Sequence, residues 1–302
     1  MKLRLVSTAF ALSLLATSCK KSETTTSSTS DEKPAVTATD GSYILANVTT
    51  PIPVGKTVTT ERTTALEDAK LSMNMAGQAL DGTMKQTKNE TSVVEAVSET
   101  QTKHTITRDD ESGSVVIAGQ EQPSPSKTNP LLNLPLLAEK SGDTWSVKLA
   151  EGTATPEQET KLNGVATQYN QQMDAAIYGT EKRKPGDKWS VESDKLPSFA
   201  GLTKPTGTFE VEFKEVKDID GTPHGVLTYQ FDLAGSPELT EEGAPAMKLK
   251  LKGTAEVLRS LTDLIDVDVK LTCDTLINME PAPGATMEIT GKTVMTQKST
   301  IK

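Results

Sequence analysis

Few side chains in this sequence are of a type that does chemistry, and their spacing narrows them further. There are two cysteines, Cys19 and Cys273, and two histidines, His104 and His224. Cys19 closes the run Leu15-Ala16-Thr17-Ser18-Cys19. A thiolate is nucleophilic enough near neutral pH to accept an acyl group, and small residues before it suit a narrow protease site. Cys19 is therefore the residue best suited to carry a covalently attached group on sulfur. Cys273 lies in a stretch from Ile265 whose odd positions are apolar and even positions polar. It is expected to face the core as an inert thiol, and with Cys19 acylated no disulfide can form within the chain. His104 sits among threonines and lysines, and His224 in the turn Asp220-Gly221-Thr222-Pro223-His224-Gly225. Neither has metal-ligand spacing to another His, Cys or Asp, and both are read as exposed.

Carboxylates are the remaining candidates. The chain has 41 acidic residues, so paired acids for glycoside hydrolysis are easy to nominate. Such a site normally also wants aromatic platforms, and there are only five Phe, four Tyr and two Trp. Asp218, Asp220 and Asp232, or Asp266 and Asp268, are candidate calcium ligands. Calcium wants six to eight oxygens from a compact loop, and Asp266 and Asp268 share a strand face with Lys270, the pattern of a solvated surface. No nucleophile elbow, His-Glu-x-x-His pair or phosphate-binding glycine loop is present. No catalytic residue, metal ligand or cofactor site is assigned, and the chain is read as non-enzymatic. Four aromatics are singled out instead, as structural or ligand-contacting residues: Trp145, Trp189, Tyr169 and Tyr229. Both tryptophans stand in the local repeat Gly-Asp-x-Trp-Ser-Val, at Gly142–Val147 and Gly186–Val191. The repeat reads as a turn feeding a strand; a duplicated β unit or a paired-Trp clamp is the sharper alternative.

The N-terminus gives Cys19 its context. Lys2 and Arg4 precede an apolar or small run from Leu5 to Thr17, the form of a secretory signal peptide. The run is shorter than the roughly 20 residues a spanning helix needs. Residues 1–18 are read as a lipoprotein signal peptide and 19–40 as the acylated cysteine plus a Thr/Ser-rich tether, whose composition cannot offset the cost of ordering. The end of the run resembles the bacterial lipobox, which implies a diacylglyceryl thioether and palmitate-like acyl chains at Cys19. Each buried methylene contributes about 0.8 kcal/mol, so two or more chains hold firmly. Lys20, where Asp would mark inner-membrane retention, resembles the outer-membrane pattern of some bacteria.

Without residues 1–18 the chain keeps 30 basic residues against 41 acidic, a formal charge of -11. A nucleic-acid partner would call for a basic patch; Lys182-Arg183-Lys184 is flanked by acids and reads as a solvated cluster. Threonine is abundant, at 44 residues, which suits pleated strands with hydroxylated outer faces.

The elements follow from periodicity. Gly41 to Thr50, Lys56 to Thr64 and Lys70 to Met75 are short strand candidates, with a hairpin turn at Asp81-Gly82. Thr83 to Arg108 is extended with a break near Lys88-Asn89, and Asp109 to Gly113 turns the chain into Ser114–Ala118. Gln120 to Asn129 is a loop. Leu131 to Leu137, interrupted by Pro135, is expected to pack across a sheet end; the alternative is a mobile flap over a cavity. Thr155 as N-cap, Pro156 as first residue and Glu157 and Glu159 near the dipole open a helix. Leu162, Val165, Ala166, Tyr169, Met173, Ala176 and Ile177 form its apolar face, and Gly179 ends it. Alternating runs at Phe209–Lys214, Leu227–Leu233, Met247–Lys252, Ile265–Cys273 and from Met287 predict antiparallel sheet with one wet face. The expected fold is mainly β: an antiparallel sandwich, half-barrel or strongly curved sheet with one central amphipathic helix. A β-rich half at 41–153 and a second at 181–302 flank the helical segment 154–180.

This order of features, with Asn129-Pro130-Leu131-Leu132 in the middle and Pro-Gly-Asp-Lys-Trp at 185–189, resembles uncharacterised bacterial envelope lipoproteins. It also resembles curved-sheet lipoproteins that carry lipid or acyl chains. The resemblance implies a cell-envelope protein held to a membrane through Cys19, acting as a binding or structural module for a protein or hydrophobic partner. A hydrophobic-ligand carrier requires an apolar cavity between sheet and helix; an envelope hydrolase requires converging carboxylates or histidines in a cleft.

Overall fold

A computed structural model describes residues 41–47, 52–75, 77–122, 128–171, 173–196, 198–237, 247–282 and 284–302. Cys19, the signal peptide and the tether lie outside these residues. So does part of the strand candidate 41–50 and of the loop around Pro123 and Pro125.

Alternating apolar and polar residues make long antiparallel strands. In chain order these are β1 (Tyr43–Ile44), β2 (Thr57–Met75), β3 (Gln78–Ser98), β4 (Gln101–Ile117), β5 (Gln120–Gln122), β6 (Pro135–Ser141) and β7 (Thr144–Leu149). Helices α1 (Pro156–Asn170) and α2 (Met173–Tyr178) follow. The chain returns to strands with β8 (Lys182–Arg183), β9 (Lys188–Ser190), β10 (Ser198–Phe199), β11 (Leu202–Ile219), β12 (Thr222–Pro237), β13 (Met247–Ser260), β14 (Ile265–Ala282) and β15 (Ala285–Ile301). Thirteen strands form one sheet in the order β10-β11-β12-β13-β14-β15-β2-β3-β4-β6-β7, with β5 beside β4 and β9 beside β11. Strands β1 and β8 make a separate ribbon. The path does not return on itself, so the sheet is not a closed barrel, and it curves, because residues of β4 and β12, far apart in the strand order, line one cavity. The mainly β, antiparallel expectation holds.

The concave face carries the core. Phe209, Val211 and Phe213 of β11, Leu227, Phe231 and Leu233 of β12, Leu249, Leu251 and Val257 of β13, and Leu271, Cys273 and Ile277 of β14 are buried together. Their alternation partners, such as Lys248, Lys250 and Lys252, face solvent. Each fully buried aliphatic or aromatic side chain contributes about 1.5–3 kcal/mol. A second cluster joins Leu131, Leu136, Ala138 and Trp145 to Leu162, Val165 and Tyr169 of α1. The Leu131–Leu137 segment is therefore packed in place, and β6 continues the sheet from Pro135. Pro135 occupies the first strand position, where a missing N–H is tolerated.

Three expected breaks are strand interior. Asp81-Gly82 pairs with Leu71-Ser72 inside β3, and Asp109 to Gly113 lies inside β4. A side chain at Gly82 would place its Cβ 2.2 Å from the Val116 carbonyl oxygen, and one at Gly113 would sit 2.5 Å from that of Lys85. These glycines allow close backbone approach rather than a turn. Lys88-Asn89 does not interrupt β3 either. The candidates 56–64 and 70–75 are one strand, bent by a bulge where Asp68 takes φ 44°.

The helix opens as expected. Gln158 N–H donates to Thr155 Oγ1 at 3.3 Å, and the Gln158 side chain accepts from Thr155 N–H at 2.9 Å, a capping box. It does not run unbroken to Gly179: Gln171 takes extended φ/ψ of -76° and 117°, and the chain starts again in α2. Lys182-Arg183, expected as a loop, is the strand β8.

Candidate functional site

After the break that follows α1, α2 lies against β12, β13 and β14, with Tyr178 meeting Tyr229 and Asp266 and with Asp174 meeting Arg259. Between these helices and the concave face lies a cavity of about 130 Å³. Its wall is mainly apolar, with Met173, Ile177, Phe199, Val257, Leu271 and Met295 prominent. Polar groups converge on it from several elements: Asp174 and Tyr178 of α2, Tyr229 in the middle of β12, Arg259 near the end of β13, Asp266 at the start of β14, and His104 of β4.

Arg259 organises one side. Its side chain is fully buried. It is in phase with Ala255 and Val257, so the alternation of β13 turns it inward. Nε donates to the Leu45 carbonyl at 2.8 Å, Nη1 to Asp266 Oδ1 at 2.5 Å, and Nη2 to Asp174 Oδ2. The guanidinium lies 4.3 Å over the Tyr178 ring. Tyr178 Oη donates to Asp266 at 3.1 Å and meets Tyr229 Oη at 2.5 Å. Asp266 was expected on the solvated face with Asp268 and Lys270. A bulge between Leu258 and Arg259 shifts the register so that Arg259 pairs with Asp266, which moves this carboxylate to the concave face.

Burial governs the electrostatics. It pushes Asp174 up to about 6, against the downward pull of the Arg259 guanidinium. For Arg259 burial acts against the charge, but Asp174 and Asp266 hold it well above its ordinary value, so it stays a cation. Tyr178 and Tyr229 are raised well above the usual range by burial, with Asp266 adding to the effect. Asp174 Oδ2 also accepts the Asn47 N–H at 3.0 Å, while Oδ1 has no donor among the described residues.

Both histidines were expected to be exposed, and both are buried, at 4% relative exposure for His104 and 8% for His224. Lys103, Thr105 and Thr107 belong to the outward set of β4; His104 itself pairs with Val94 and is in phase with Thr102 and Ile106, which turn inward. Its ring lies 6.2 Å from that of Tyr169. Neither ring nitrogen has a partner among the described residues, and burial pushes its pKa down to about 4. His224 opens β12 opposite Ser260, and its Nδ1 lies 2.8 Å from the Thr222 carbonyl.

Two of the four singled-out aromatics meet at the cavity. Tyr169 and Tyr229 line it; the Tyr169 hydroxyl takes a hydrogen bond from Thr102 Oγ1 at 3.0 Å, and burial raises its pKa to about 12. The tryptophans stand apart. Trp145 packs 5.4 Å from Tyr169 in the second cluster, whereas Trp189 donates from Nε1 to the Ile177 carbonyl at 2.8 Å and carries Arg183 at 4.6 Å over its ring. They form no clamp, and their strands pair differently, β7 with β6 and β9 with β11. Cys273 is buried at 2% exposure, and burial pushes its thiol up to about 11, away from reactivity. Among the described residues no cluster of three or more His, Cys, Asp or Glu could hold a metal. Sequence reasoning missed Arg259, Asp174 and Tyr178; the inward phase of Arg259 within β13 was the one available signal.

No known protein family and no curated protein matches the chain. Among solved structures, lipovitellin, studied for its lipid–protein interactions, aligns with a TM-score of 0.38 and 10% identity over 83% of this chain. The chain spans 26% of the lipovitellin chain. An outer membrane channel from Pseudomonas putida F1 aligns with a TM-score of 0.25 and 8% identity, covering 85% of this chain and 98% of the channel. The translocator domain of autotransporter NalP from Neisseria meningitidis gives 0.21 and 10%, covering 82% and 88%.

Proposed function

We propose that the protein is a lipid-anchored, non-enzymatic binding protein of the bacterial cell envelope, and that its site is the cavity beneath the helices, which takes a small hydrophobic ligand. The cavity carries this reading. It is mostly apolar, has a few convergent polar groups and is built on strands and helices rather than loops, the usual make-up of a small-molecule site. Its volume of about 130 Å³ is close to the roughly 150 Å³ that accommodates benzene in an engineered apolar cavity. It encloses a ring or the end of a chain, not a whole lipid. The envelope placement and the anchor rest on the signal-peptide pattern and Cys19.

Two measurements test the reading. Mass spectrometry of the N-terminal peptide from native membranes should find cleavage before Cys19 and acyl mass on its sulfur; an unmodified Cys19 overturns the anchor. For the cavity, toluene should raise the melting temperature of the wild-type protein in a concentration-dependent way, because a ligand that binds only the native state stabilises it. Ala255→Phe, which fills the cavity wall at a buried position, should abolish the shift. No shift in the wild-type protein overturns the ligand reading.

A further inference from the structure

The groups around the cavity leave a specific chemical demand. Two carboxylates, Asp174 and Asp266, face one guanidinium, Arg259, and the hydroxyls of Tyr178 and Tyr229 stay protonated between them. The Asp266 side chain retains 19% exposure and reaches water, but that of Asp174 retains only 4%. Asp174 Oδ2 already accepts from Arg259 and from the Asn47 N–H, while Oδ1 is buried with no donor among the described residues. His104, which also lines the cavity, is neutral and buried and leaves both ring nitrogens without partners among the described residues. Asp174 and His104 both line the cavity, and a buried carboxylate oxygen and imidazole nitrogens without partners call for a donor.

We propose that the cavity binds a small organic amine, with a ring-sized apolar body and an ammonium end directed at Asp174. This rests on the cavity being the ligand site. An ammonium has three N–H donors and a positive charge. It gives Asp174 Oδ1 a charge-assisted hydrogen bond, which is stronger than one from a neutral hydroxyl. It also offsets the surplus carboxylate charge. The rings of Tyr169 and Phe199, both lining the cavity, offer faces to the cation. A carboxylate ligand is disfavoured, because the Arg259 fork is already taken by two acids and the newcomer would meet Asp174 at close range.

Isothermal titration of the full chain with toluene, benzyl alcohol, benzylamine and benzoate at neutral pH decides the matter. Benzylamine is expected to bind about tenfold or more tightly than benzyl alcohol, the gap between a charge-assisted and a neutral hydrogen bond, and benzoate not at all. Asp174→Asn should bring benzylamine and benzyl alcohol to similar affinity while toluene still binds. The wild-type series is decisive even if that variant does not fold. Toluene binding with no preference for benzylamine overturns the amine assignment and leaves the cavity site standing. Failure of toluene and benzylamine alike overturns both.

Discussion

His104 offers the sharpest test of how the interior is built. Replacing it with Leu keeps an apolar side chain of similar reach against Tyr169 and removes two ring nitrogens that find no partner among the described residues. A buried polar group left unpaired costs about 1–3 kcal/mol, so His104→Leu should be more stable than wild type by that order at pH 7.5. The pH dependence adds a second, independent magnitude. The folded-state pKa of about 4 lies below the ordinary histidine value of 6.5. As pH falls below 6.5 the unfolded chain takes up a proton at this site and the native state does not, so native stability is lost between pH 6.5 and 4. At pH 4.5 this amounts to about 2.5 kcal/mol, and the variant is free of it. Urea unfolding at the two pH values, followed by fluorescence of Trp145 and Trp189, measures both quantities. The advantage of His104→Leu should widen by about 2.5 kcal/mol on acidification. A variant less stable than wild type at pH 7.5, with parallel pH curves, would refute the assignment of a buried, neutral and unpartnered imidazole.

Three further outcomes are expected. Arg259→Met should destabilise the fold by about 3–5 kcal/mol, because it strands Asp174 in the interior; adding Asp174→Leu should recover most of this in urea unfolding, and an unchanged midpoint for the single variant contradicts the charge cluster. Gly82→Val should cost at least 1–3 kcal/mol, as Cβ meets a carbonyl across β3 and β4; a neutral result in thermal melts would return this position to a turn. Thr155→Ala should cost about 1 kcal/mol through the lost cap, and stability matching wild type in urea titrations would deny the capping box.

The sheet was legible because period-two alternation is a direct consequence of strand geometry. Phe209–Phe213, Leu227–Leu233 and Met247–Leu251 face the core as their spacing requires. What misled was punctuation. Asp81-Gly82 and Asp109–Gly113 have turn composition, but here glycine serves close backbone approach within strands of 21 and 17 residues. Neighbouring strands set that role, and one strand read alone does not carry it. The site was hidden for a related reason. Asp266 changes face through a one-residue register shift, and His104 is surrounded in sequence by residues that point the other way. Tyr169 and Tyr229 were visible as aromatics, but their convergence depends on the break at Gln171, after which α2 lies against β12, β13 and β14. Trp145 and Trp189 carried the most conspicuous motif, and they pack in separate clusters away from each other.

The placement of β15 bears on how the chain assembles. Its pairing with β2 runs from Thr286 opposite Asn74 to Ile301 opposite Val58. The two halves of the sheet are each a meander of neighbouring hairpins that can form locally, but the seam between them joins residues more than 200 positions apart. Bringing such distant segments together carries a large loop-closure cost and slows folding. Until the last strand has emerged and docked, β2 and β14 each present an unpaired edge, the feature through which partly folded β proteins associate wrongly. The tendency of the partly folded chain to associate wrongly should then be set by this one central seam rather than by the size of the sheet.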